Sequence, residues 1–108
     1  MDLNEYQKMA MRTKVKAQLD EEALLNGVMG LVGETGEVVD TLKKALFQGH
    51  TFSPDKIIEE LGDVLWYVAL ICDALQYDMS ELAQINIDKL KKRYPEGFKS
   101  EDSINRVD

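Results

Sequence analysis

The chain has 108 residues, 44% hydrophobic and 31% charged, and its 13 basic against 20 acidic side chains leave a formal net charge of −7. One globular domain fits that length, burying roughly 60% or slightly more of its unfolded surface, and the acidity excludes nucleic-acid binding through a basic face. No apolar stretch reaches the roughly 18 uncharged residues of a membrane span and MDLNEYQKMAMRT lacks the apolar run of a secretory signal, so a cytoplasmic protein with no membrane partner is expected.

Helical periodicity marks four stretches, and none alternates as a half-buried strand would, so the fold class is all-α. The first helix is placed at residues 3 to about 18, with Asp2 or Asn4 as its N-cap. The second starts at residue 20 or 21 and runs to about 47, ending at Gly49 in QGHTFSPD, with Asn26 and Gly27 as a point where it could break. Ser53 and Pro54 open a third helix that reaches about residue 75, because serine accepts free amide protons and proline suits the first helical position. Ser80 and Glu81 start a fourth that stops before Pro95. Residues 1–98 form the helical domain and 99–108 a polar, extended tail, with Phe98 and Ile104 as anchors onto the body.

The third helix, LGDVLWYVALICDAL, is apolar on nearly every face and must be covered on all sides. Three sister helices cover part of it, so the four-helix bundle is expected to be completed by homo-oligomerisation. Cys72, the single cysteine, reads as a small buried hydrophobe. In the second helix Gly27, Gly30, Gly33 and Gly36 each cost about 0.8 to 1 kcal/mol against alanine. Close helix approach offsets that cost, or an open side kept for a metal and its ligand does, and the two can hold together.

Glu34 and Glu37 lie three apart in GETGEVVD, and Glu60 and Asp63 three apart in EELGDVLWY. Like charges at that spacing repel by a few tenths of a kcal/mol on one helix face unless a cation sits between them. Glu34 and Glu37 are the only charged residues between Ala23 and Val39, and Asp63 the only one between Leu61 and Cys72. Carboxylates in such apolar settings need a metal, a partner or a solvent-filled cleft. On neighbouring antiparallel helices these four would meet as a site for Mg²⁺, with Mn²⁺ as substitute. A di-iron bundle also uses helix-borne glutamates but adds Glu-x-x-His pairs, and the only histidine, His50, sits in a turn. Glu59, four before Asp63, is an outer acid or a base.

Basic residues concentrate in NIDKLKKRYPEGF, where Asn86, Lys89 and Arg93 share one helical face while Lys91 and Lys92 point elsewhere. A basic face closing over an acidic metal cage suits a triphosphate, although cations at a helix C-terminus also suit its dipole without any ligand. Trp66, three after Asp63, is either core or a platform for a nucleobase.

The runs GLVGETGEVVDTLKKALFQGH, IIEELGDVLWYVALICDAL and INIDKLKKRYPEGF resemble the MazG-like all-α nucleoside triphosphate pyrophosphohydrolases over residues 3–98, in the short single-domain branch. The resemblance implies Mg²⁺ on Glu34, Glu37, Glu60 and Asp63, a homodimer or a tetramer built from dimers, and phosphate contacts from the Lys89, Leu90, Arg93, Tyr94, Pro95 run. Gly33 stands where many members carry a further glutamate, so substrate identity does not carry over.

Together these readings give a Mg²⁺-dependent hydrolase that splits a ribo- or deoxynucleoside triphosphate into monophosphate and pyrophosphate, and the resemblance alone implies nucleotide-pool house-cleaning as its role. Glu37 or Glu59 orients or deprotonates the water, Lys89 and Arg93 stabilise phosphate charge, and Asn86, Tyr94, Lys44 and Trp66 assist substrate binding. The alternative is a non-catalytic helical module that binds a nucleotide or a protein partner.

Overall fold

The computed structural model describes residues 1–107 and is all-helical, with no strand among the described residues. Five helices follow one another: α1 (Leu3–Ala10), α2 (Asp20–Phe47), α3 (Pro54–Ala74), α4 (Met79–Arg93) and α5 (Ser100–Ile104). The four expected helices are therefore present, with three differences at their edges. The first helix stops at Ala10 and tightens into a 3₁₀ turn over Met11–Thr13 instead of reaching residue 18. Thr13 explains part of this, because its hydroxyl donates back to the Ala10 carbonyl at 2.8 Å and accepts the Trp66 indole N–H at 2.8 Å, fixing the turn against α3.

The second difference is the start of α4, which begins at Met79 behind Asp78 instead of at Ser80. Glu81 accepts the Asp78 amide proton at 3.0 Å, one half of a capping box. Side chains of α1 take over the other free amides of the first turn: Gln7 Oε1 accepts from the Met79 N–H at 2.9 Å and Asn4 Oδ1 from the Ser80 N–H at 3.1 Å. Gln7 is itself buried, and its amide also donates to the Tyr77 carbonyl at 2.9 Å, so a polar side chain from the start of the chain clamps the α3–α4 turn. That turn passes through Gln76 at φ 62°, a left-handed position that usually belongs to glycine.

The third difference lies in the C-terminal segment, which is not extended: Ser100–Ile104 is helical, and the Val107 carbonyl accepts from Arg93 Nε at 3.1 Å. Phe98 and Ile104 do not anchor it in the core, being 72% and 81% exposed, although the Phe98 ring lies 5.4 Å from that of Tyr94. The last residue of the expected tail, Asp108, lies outside the described residues.

Helices α2 and α3 form the antiparallel hairpin on which the rest is arranged. Ser53 caps α3 with Pro54 behind it, as the sequence predicts, and α2 runs unbroken through Asn26 and Gly27. A Cβ at Gly27 would lie 2.6 Å from Ile71 Cγ1, and one at Gly30 would fall inside the Tyr67 ring, so these two glycines let the helices close together. Gly33 and Gly36 have nothing within 4 Å of that position and face open space. Close helix approach, the first offset weighed for the glycine spacing, is thus realised at Gly27 and Gly30, while Gly33 and Gly36 leave their side of the helix open.

The core is small. Ala23, Leu70 and Ala74 form one buried cluster, Ala69, Cys72 and Met79 another, and Leu70 is the largest side chain fully buried. The apolar residues of α3 are only partly covered by the single chain, with Ile58 at 67% exposure, while α2 leaves Met29, Val32 and Phe47 open. Among the described residues no helix is long and apolar enough to cross a membrane.

Candidate active site

Past the close contacts at Gly27 and Gly30, the hairpin seam opens toward the α2–α3 turn. There Thr41 of α2 meets Glu60 of α3, its hydroxyl donating to Glu60 Oε1 at 2.7 Å. Glu37 borders the same cavity as Glu60, and Asp63 is the charge that acts most on Glu34. The electrostatics agree: Glu34's carboxyl is pushed above its ordinary range by desolvation first, then by the negative charges of Asp63, Glu37 and Glu60. The two acidic pairs predicted from spacing therefore share one neighbourhood. Among the described residues, however, no three His, Cys, Asp or Glu side chains converge closely enough to enclose an ion as they stand.

Glu60 differs from the other three acids. It is 7% exposed, whereas Glu37 and Asp63 are solvent-exposed and Glu34 is partly so. Its Oε2 is buried and has no hydrogen-bond partner. An ionised oxygen left in that state is costly, and a hard cation is a partner whose chemistry answers it. The donor set fits Mg²⁺ or Mn²⁺ on this ground, since all four groups offer carboxylate oxygen and none offers sulfur or imidazole.

A cavity of about 380 Å³ opens beside Glu60, bounded by Glu37, Asp40, Thr41 and Lys44 of α2, by His50, Thr51 and Ser53 of the turn, and by Lys56 of α3. Lys44 is thus brought to the acids, as expected, and it arrives paired: Asp40 accepts from its ammonium at 2.8 Å. That hydrogen bond is the main reason that the Asp40 carboxyl is held below, and the Lys44 ammonium above, its ordinary value; Glu37 and Glu60 raise Lys44 further. His50, read from sequence as a turn residue, also borders the cavity.

The remaining site residues lie elsewhere in the single chain. Asn86, Lys89, Arg93 and Tyr94 belong to α4 or its end and are not among the cavity's bounding residues, and neither is Glu59. The Trp66 indole N–H is spent on Thr13 and on the Ala10 carbonyl, 3.1 Å away, and its ring meets Tyr67 edge-on at 5.1 Å. Of its two sequence readings, the geometry is that of a core residue joining α1 to α3.

Asp40, Thr41 and Lys56 were not singled out by the sequence reading. Their signal was periodic: Asp40 falls three and Thr41 four residues after Glu37, and Lys56 four before Glu60, so each stands on the stripe of an acid already chosen.

The fold is an all-helical hairpin that carries paired acidic motifs beside a polar cavity, and the comparisons say to which family it belongs. The MazG nucleotide pyrophosphohydrolase domain matches residues 18–98, and the chain belongs to that family. A relative from Mycobacterium phage L5, described as Gene 37 protein, is 37% identical over 89 residues, which is 79% of this chain and 78% of its own. No solved structure matches the chain.

Proposed function

We propose that this chain is a Mg²⁺-dependent nucleoside triphosphate pyrophosphohydrolase that cleaves between the α and β phosphates, releasing monophosphate and pyrophosphate. The observation that carries the reading is the buried, unpartnered Oε2 of Glu60 beside a polar cavity, in a chain of the MazG family. Glu34, Glu37, Glu60 and Asp63 would hold the ion. Bound Mg²⁺ supplies charge neutralisation on phosphate oxygens and a more acidic water.

Glu37, which borders the cavity, is the first choice to orient the attacking water and accept its proton, with Glu59 second. The water oxygen bonds to phosphorus as the anhydride P–O bond breaks. Lys44 places positive charge on the cavity wall, tempered by Asp40. Lys89 and Arg93, with Asn86 and Tyr94, are assigned to the phosphates on the resemblance of their run to the family's. House-cleaning of the cytoplasmic nucleotide pool is the role that suits such a reaction.

Self-association completes the reading. The radius of gyration is 17.0 Å where a compact domain of 108 residues has about 13 Å, and the apolar side chains open along α2 are those a second copy would cover. A dimer or larger homo-oligomer at micromolar concentration is the expected result of analytical ultracentrifugation, and a stable monomer would remove this part of the proposal.

Pyrophosphate release from a panel of standard and modified ribo- and deoxynucleoside triphosphates, with Mg²⁺, Mn²⁺ or EDTA, tests the reaction. Metal-dependent pyrophosphate from one or a few substrates is expected. Orthophosphate in its place would assign the wrong bond, and silence from folded, metal-bound protein would favour a binding module.

A further inference from the structure

We infer that Thr41 is a positioning residue for Glu60, holding Oε1 so that Oε2 alone is presented to a divalent cation. The inference rests on the metal reading above. Helical threonines commonly return their hydroxyl to the carbonyl four residues earlier, and Thr35, on the same helix, does so with Leu31 at 2.7 Å. Thr41 spends its only hydroxyl proton across the seam, on Glu60, also at 2.7 Å.

That choice has consequences for a carboxylate that is 7% exposed. A bond to Oε1 takes up one of its two oxygens and pins the plane of the group. Oε2 is left buried and unpartnered beside a cavity that Thr41 also borders. Groups that hydrogen-bond a metal ligand orient it in this way, and losing one typically weakens metal affinity by about 10- to 100-fold. Glu34, Glu37 and Asp63 are the more open acids, able to move onto an ion that Glu60 receives from a fixed position.

The test is Mn²⁺ binding to metal-free protein, followed by the electron paramagnetic resonance signal of the free ion, in wild type, Thr41→Ser and Thr41→Val. Circular dichroism in EDTA checks that each is folded. Serine keeps the donor and is expected to bind within about threefold of wild type, whereas valine keeps the shape without the donor and is expected to bind at least about tenfold more weakly. The Mn²⁺ concentration that half-activates turnover should rise by the same ratio. If valine prevents folding, Thr41→Ala against Thr41→Ser isolates the hydroxyl, with the same tenfold expectation. Equal Mn²⁺ affinity with and without the hydroxyl overturns the inference. Failure of folded wild type to bind Mn²⁺ overturns instead the metal reading beneath it.

Discussion

The two halves of the α2–α3 hairpin are built from similar residues to opposite ends. In the half nearer the α2 start, Gly27 and Gly30 bring the backbone against Ile71 and Tyr67, and the space between the helices is filled. Toward the turn, Gly33 and Gly36 face nothing within 4 Å, and the seam carries Glu34, Glu37, Glu60 and Asp63 beside a cavity. The same residue type thus closes one half for packing and keeps the other clear. The difference teaches that a glycine period on a helix has no single meaning, and that the charges beside each glycine tell the two uses apart.

Substitutions in each half should separate stability from activity. The largest expected effect is on the open half: Asp63→Asn should lower turnover by at least about 100-fold, the loss of a metal ligand, while the oligomer and the melting temperature without metal stay close to wild type. Undiminished pyrophosphate release would remove Asp63 from the site. In the packed half, Gly30→Ala forces a methyl group into the Tyr67 ring, and overpacking of this kind costs about 1 to 3 kcal/mol. Urea unfolding should show that loss.

Gly36→Ala reverses the sign. With nothing within 4 Å of its Cβ, alanine there gains about 0.8 to 1 kcal/mol of helix propensity in the single chain. A loss of stability in place of the gain would mean that a second copy packs on this face. The smallest effect belongs to Cys72, buried in the packed half, whose thiol is raised above 9.0 by desolvation. Because the folded value is the higher one, its stabilising contribution is full below the unfolded value and lost as pH rises through the folded one. Melting temperatures of wild type and Cys72→Ala between pH 8 and about 10 should therefore converge as pH rises.

Much of this fold was legible because its signals are local. Ser53 and Pro54 mark the start of α3 through their own chemistry, and the apolar period of α2 carried it through Asn26 and Gly27 without a break. Where partners come from far along the chain, sequence fell short. The α4 start depends on Gln7 and Asn4, more than 70 residues away, and the early stop of α1 on an indole from α3. The acidic pairs were found by spacing, and their common neighbourhood follows from an antiparallel register that hairpin helices impose. What spacing could not rank is the inequality among the four acids, since only the fold buries Glu60 and turns Thr41 toward it.

The central claim is that the open half of the hairpin holds a divalent cation. Its most direct test is the melting temperature of the folded protein as Mg²⁺ or Mn²⁺ is titrated from EDTA to millimolar concentration. Binding to the folded state stabilises it by about 2.7 kcal/mol at 100 times the dissociation constant, so a rise of several degrees is expected for wild type and little or none for Asp63→Asn. A melting temperature that stays flat in wild type across that range would contradict the account.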